Sequence, residues 1–254
     1  MNTGLYYMYA GFILIPVFAW LMLWSARTIF RRAKEISEEN RILPEGAIDT
    51  VVLDIGDVLV NFAWRDFIGR HHFSDEIFER IADATVRNDA WKEFDLGNLT
   101  YEQIIDGFVA QDQEIEKEIR EVFCTPGRLK GLITKRERAI PWIREMQKAG
   151  YRVLLLSNYS EMALEDCREA MAFLDIVDGG LLSYTEHVCK PDSAYYGLLE
   201  KKYGLDPSRV IFVDDMEENV RAAKARGWHG IVYRTQEQAE EELKEAGVSY
   251  GVPR

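Results

Sequence analysis

An α/β fold built on a parallel sheet is the architecture this sequence predicts, and three observations predict it. Short β-branched runs recur at AIDTVVLDI (from Ala47), YRVLLLS (from Tyr151), VIFVDD (from Val210) and GIVYR (from Gly230). The first lacks the alternation of a half-exposed strand, as a parallel strand covered on both faces should. Helical stretches separate the later runs, and alternation of strand and helix is the pattern of a layered sheet.

The elements follow in order. Gly4 to Ala26 carries no charged side chain. A helix of that length reaches about 34 Å, enough to cross a hydrocarbon core of about 30 Å. Tyr6, Tyr7 and Tyr9 at one end and Trp20 and Trp24 at the other suit the two interfaces. Arg27, Arg31, Arg32 and Lys34 follow the apolar run, where a cleavable signal would place cations before it. Residues 1–26 are therefore expected to be a single-pass anchor in the lipid bilayer, through residues 4–26, with the remainder cytoplasmic. Residues 27–46 read as a juxtamembrane stalk that ends at ILPEG.

Residues 47–60 and 139–254 form the expected α/β core. Its helices are PWIREMQKAG from Pro141, SEMALEDCREAMAF from Ser160, SAYYGLLEKKYG from Ser193 and EENVRAAKARG from Glu217, several ending in glycine. Between the first strand and the second, residues 61–138 are rich in helix formers and carry no convincing strand. This interval reads as an all-helical cap inserted into the core. Trp64, Phe67, Trp91 and Phe94 are expected to pack that cap rather than to bind substrate. His71 and His72 lack partners at ligand spacing and read as surface or cap-core residues, and His187 is placed near the site entrance.

A formal net charge of −12 argues against nucleic acid as a partner, because neutralising phosphates takes a basic face. Cys124, Cys167 and Cys189 lack the spacing of a metal clip and read as free thiols. Protein partners and oligomeric state are not legible.

In open parallel sheets, ligands gather beyond the carboxyl ends of the strands. The first strand delivers Asp54 there, and VIFVDD delivers Asp214 and Asp215. Carboxylates brought together repel unless a cation sits between them, and carboxylate, carbonyl and water oxygens are what Mg²⁺ prefers. The YRVLLLS strand ends in Ser157 and Asn158, suited to phosphate oxygens, and Lys190 in CKPD supplies positive charge.

Taken in order, DIGDV at Asp54, SN at Ser157, KPD at Lys190 and VDD before Asn219 resemble the four motifs of the haloacid dehalogenase superfamily over roughly residues 47–233. The helical insertion is similar to that family's cap, and the nearest likeness is to its sugar-phosphatase-like members. The resemblance implies a phosphatase in which Asp54 is the nucleophile that forms an aspartyl-phosphate. It implies Mg²⁺ held by Asp54, the carbonyl of Gly56 and Asp215, with Asp214 supporting the site from behind. Ser157, Asn158 and Lys190 would hold the phosphoryl oxygens, and Lys190 would also steady Asp54.

One position departs from that pattern. Phosphatases of the superfamily usually carry an acid–base aspartate two residues after the nucleophile, and here Gly56 stands there. Asp57 should face elsewhere, since side chains alternate along an extended segment, unless a turn at Gly56 redirects it. Without that acid, substrates with good leaving groups are expected: an anomeric sugar phosphate, or an acyl or aryl phosphate. Two other readings remain: a catalytically weak module that binds a phosphorylated ligand or protein at the membrane, favoured by Gly56, and a metal-free dehalogenase, disfavoured by the acid-rich VDD end.

Overall fold

The computed structural model describes residues 47–124 and 127–251. The expected anchor and stalk, residues 1–46, lie outside the described residues. Among the described residues no helix is long and apolar enough to cross a membrane.

The strands among the described residues are β1 (Thr50–Leu53), β2 (Val60–Phe62), β3 (Ile133–Lys135), β4 (Arg152–Ser157), β5 (Gly179–Leu182), β6 (Val210–Asp214) and β7 (His229–Val232). Five make one sheet in the order β5-β4-β1-β6-β7, every neighbouring pair parallel. β1 is the middle strand, and all four of its residues are buried. That accounts for its unbroken apolar run, since helices cover both sides of such a sheet. On one side Val52, Leu154, Leu156 and Phe212 pack with Tyr195, Tyr196, Leu199 and Trp228 in a single apolar cluster.

The sequence pattern does not reveal β5, because its residues are Gly-Gly-Leu-Leu. The glycines are structural. Gly180 has φ +153°, and a Cβ there would stand 2.5 Å from the carbonyl oxygen of Leu155. The strand can therefore close on β4 only without a side chain at that point. The Tyr203 hydroxyl accepts from Gly180 N at 2.7 Å, occupying part of the open edge.

The insertion begins and ends in strand, which corrects the expectation that residues 61–138 are helical throughout. β2 and β3 pair antiparallel, with Asn61 opposite Thr134 and Phe62 opposite Ile133, as a ribbon at the root of the cap. Three residues apiece are too few for a legible period. The cap helices are α1 (Trp64–Gly69), α2 (Asp75–Ala84), α3 (Ala90–Leu96), α4 (Tyr101–Gln111) and α5 (Glu116–Phe123). Thr100 and Gln103 form a reciprocal capping box that starts α4. Phe67, Phe94, Phe108 and Phe123 are buried among these helices, with Trp91 stacked on Phe108 at 5.8 Å between ring centroids.

In the core, α6 (Ala139–Lys148), α7 (Glu161–Asp166), α8 (Ser183–Glu186), α9 (Ser193–Tyr203), α10 (Glu217–Ala225) and α11 (Gln236–Glu245) complete the layers. The stretch from Ser160 to Phe173 is not the single helix its sequence suggests. α7 stops at Asp166, and a 3₁₀ segment with a kink at Met171 follows.

Candidate active site

The register of the sheet assembles the site. Leu53 of β1 lies level with Val213 of β6 and with Leu155 of β4. Because all three strands are parallel, the residues that follow emerge at the same edge: Asp54 from β1, Ser157 from β4, Asp214 and Asp215 from β6. Asp54 N continues the ladder by donating to the carbonyl of Val213 at 2.9 Å. Asp54, Asp214 and Asp215 each bring a carboxylate oxygen within 4.8 Å of the others, the spacing of groups that could share one cation.

Lys190 holds two of these anions together. The residue is 3% exposed, with Nζ 2.7 Å from Asp54 Oδ1 and 2.6 Å from Asp214 Oδ2. Burial opposes the lysine charge, yet the two carboxylates outweigh it and hold the pKa above its ordinary value. Asp54 responds the other way: loss of water raises its pKa to about 6 against the pull of Lys190, and the repulsion of Asp214 adds to the rise. The two directions agree once the lysine is seen as shared, one cation between two anions.

Asp214 is fully buried and satisfied by this chain. Oδ1 accepts from Met216 N and Asn219 Nδ2, while Oδ2 accepts from Lys190 Nζ and Asn219 Nδ2. Asp215 is the opposite case. Its carboxylate accepts no hydrogen bond from the described residues, and burial together with Asp54 and Asp214 pushes its pKa up to about 7. A stranded carboxylate beside a second one suits a dication, so the residues present fit Mg²⁺ with Asp54 and Asp215 as ligands and Asp214 as the anchor of Lys190.

Two phosphate-binding candidates divide in role. Ser157 is buried at the end of β4. Asn158 lines the cavity, but its amide clasps the lysine backbone: Nδ2 donates to the Lys190 carbonyl at 3.0 Å and Oδ1 accepts from Lys190 N at 2.7 Å. These two contacts fix the Lys190 backbone, a task the sequence did not assign to this amide.

Gly56 sits beside Asp54 with room to spare. A Cβ built there would meet only Asp54 Oδ2, at 4.0 Å. Asp57 does turn toward the cavity, in a left-handed conformation with φ +50°. Its Oδ1 is already engaged, accepting from Phe62 N at 3.1 Å and facing Arg136 at 3.7 Å.

The cavity over these groups measures about 190 Å³ and reaches into the cap. Phe62, Trp91, Phe94, Leu132 and Ile133 form an apolar wall. Trp91 and Phe94 thus serve the site as well as the packing to which they were assigned. Asp95, absent from the residues singled out in sequence, lines the cavity from the end of α3. Its only sequence signal is its place between an aromatic pair and the Gly97 stop. His187 lies near this seam, its Nδ1 3.0 Å from the carbonyl of Leu96. His71 stacks on Phe73 in the cap.

A family model described as haloacid dehalogenase-like hydrolase matches residues 48–227. The chain belongs to that hydrolase family. Among curated relatives of this family member, the sesquiterpene phosphatase astK of Aspergillus oryzae is 25% identical over 71% of this chain and 87% of its own. The drimenol cyclase drtB of Aspergillus calidoustus is 22% identical over 77% of this chain, but over only 36% of its own length. A solved structure of a haloacid dehalogenase family enzyme from Bacteroides thetaiotaomicron, in complex with magnesium and inorganic phosphate, has a TM-score of 0.57. It is 19% identical and covers 75% of this chain and 96% of its own. The L-2-haloacid dehalogenase of Xanthobacter autotrophicus with chloropropionic acid covalently bound has a TM-score of 0.52 at 18% identity, covering 80% and 84%. Both share the fold of this hydrolase.

Proposed function

We propose that this hydrolase is a Mg²⁺-dependent phosphatase acting through a covalent aspartyl-phosphate on Asp54. The carrying observation is the trio of carboxylates at one sheet edge with a single buried lysine between two of them. Such an excess of negative charge makes sense around a dication and an incoming anion. Held by Asp54, Asp215 and the carbonyl of Gly56, Mg²⁺ would neutralise phosphoryl oxygens and lower the cost of bringing two anions together. Asp54 attacks phosphorus, the ester oxygen departs, and water then cleaves the aspartyl-phosphate, which splits one difficult displacement into two easier ones. Lys190 keeps Asp54 ionised and oriented during the first of them, and Ser157, at the end of β4, would offer its hydroxyl to a phosphoryl oxygen.

The apolar wall of Phe62, Trp91, Phe94, Leu132 and Ile133 favours a small phosphate ester whose alcohol is rich in hydrocarbon. Similarity to a sesquiterpene phosphatase supports the same direction. A sugar phosphate is the second reading, favoured by Gly56 and the good leaving group its lack of acid calls for. A panel of terpenyl, aryl and sugar phosphates plus glycerol phosphate separates the two: hydrocarbon esters should lead, and preference for glucose 1-phosphate would reverse the assignment. Residues 4–26 would tether the enzyme to a bilayer with its catalytic domain in the cytoplasm, where an apolar ester is concentrated at the lipid surface.

Chelation supplies a direct test. Turnover of p-nitrophenyl phosphate should fall to background in EDTA and return with added Mg²⁺. Activity indifferent to EDTA, or halide release from a 2-haloacid, would favour dehalogenase chemistry; no turnover under any condition would favour a binding module.

A further inference from the structure

The phosphatase reading leaves one chemical need unmet. An alcohol that departs from phosphorus leaves as an alkoxide unless something gives it a proton, and Gly56 has nothing to give. The ionisable groups lining the cavity are Asp54, Asp57, Asp95, Tyr159 and Asp215. Asp54 is the nucleophile and Asp215 faces the cation. Asp57 Oδ1 is tied to Phe62 N and faces Arg136, an environment that suits an acceptor. Tyr159 has a buried hydroxyl with no hydrogen-bond partner among the described residues, and burial pushes its pKa well above the ordinary phenol value. It can donate a hydrogen bond but is a poor proton source.

Asp95 differs from all of these. It lines the cavity from a cap helix and not from a strand end, and the cap is where the alcohol part of an ester would lie. Its carboxylate takes no hydrogen bond and pairs with no cation among the described residues. The backbone around it is nevertheless fixed to the core. Its carbonyl accepts from Ser183 Oγ at 2.6 Å, and the next carbonyl, of Leu96, meets His187 Nδ1 at 3.0 Å. Gly97, at φ +67°, passes so close to α8 that a Cβ would stand 2.9 Å from that of Tyr184. A loose lid would not be seated on three successive residues. An unpartnered carboxyl on a backbone held in this way is prepared for a group that arrives with the substrate.

We propose that Asp95, reaching in from the cap, is the general acid and base of this phosphatase, in the role that position 56 cannot fill. As Asp54 bonds to phosphorus, the phosphorus–oxygen bond to the alcohol breaks, its electron pair stays on that oxygen, and the oxygen takes the Asp95 proton. In the second half, water adds to phosphorus and passes its proton to the Asp95 carboxylate, while the bond to Asp54 breaks and its electron pair returns to that side chain. Both catalytic groups end as they began. Removal from water, with help from the negative charge of Asp54, raises the Asp95 pKa to about 8, which keeps it protonated and able to donate at neutral pH.

The inference rests on the phosphatase reading, and its test separates the two. Full-length protein with Mg²⁺ is assayed on p-nitrophenyl phosphate and benzyl phosphate, esters of similar size whose alcohols differ in how much they need a proton. Asp95→Asn should lower benzyl phosphate turnover by about 10²–10⁴ and p-nitrophenyl phosphate turnover by less than about tenfold, because p-nitrophenolate leaves without help. Adding Gly56→Asp to Asp95→Asn should restore part of the benzyl activity, since the space beside Asp54 is open. Equal losses on both esters would reduce Asp95 to a structural residue and overturn the proposal. So would a leaving-group-dependent loss in Asp57→Asn in place of Asp95→Asn. Failure of the unmodified protein on both esters would instead sink the phosphatase reading, and this role of Asp95 with it.

Discussion

Asp54→Asn is expected to abolish turnover of every phosphate ester, by about 10⁴-fold or more, the scale on which losing a covalent nucleophile acts. The fold should survive. Asparagine keeps the shape of the side chain, and the burial that raises the Asp54 pKa shows that its charge is held at a cost. Removing the charge also removes repulsion with Asp214, while Lys190 keeps Asp214 as its partner at 2.6 Å. The variant's melting temperature, measured in EDTA, should therefore equal or exceed that of the parent, as is common when a strained catalytic group is deleted. Turnover retained in Asp54→Asn would remove the nucleophile from the mechanism. Unfolding would instead assign Asp54 to the core.

Lys190→Met should have the largest effect on stability. Methionine matches the aliphatic stem but removes the cation that faces both Asp54 and Asp214, and Asp214 is completely buried. Breaking a buried ion pair from one side leaves an uncompensated charge and costs about 3–5 kcal/mol. Denaturant midpoints should drop accordingly, and activity should fall with them. Mg²⁺ should recover part of the stability, since a bound dication supplies positive charge beside Asp54. Lys190→Arg should not rescue: the side chain is enclosed beneath a backbone clasped by Asn158, and a guanidinium fork needs a different space. A midpoint unchanged in Lys190→Met would mean that the lysine contributes nothing net to stability.

Much of the fold was legible because the physics that sets it is local. A strand covered on both faces must be apolar through its middle, and β1, β4 and β6 are, with polar residues only at their ends. Helix-forming stretches and glycine stops located α9 and α10 near their observed ends. The elements that escaped are those whose sequences carry no period. β2 and β3 have three residues each, and β5 is half glycine because Leu155 leaves no room for a side chain at position 180. In the site, the strand-end residues were legible from motif order, whereas the Asn158 clasp on Lys190 was not, since the two are 32 positions apart.

By itself the sequence determined which groups would stand at the sheet edge. In a parallel sheet every strand delivers its carboxyl end to the same side, so Asp54, Ser157, Asp214 and Asp215 could be placed there from strand order and direction alone. Only the tertiary structure decided how those groups divide the work. Whether a carboxylate is satisfied or stranded depends on neighbours remote in the chain, as Lys190 and Asn219 are for Asp214. The position of Asp95 depends on how an inserted cap seats on Ser183 and His187, across about ninety residues of chain. No local pattern encodes such a contact, because it arises from two surfaces meeting after each has folded.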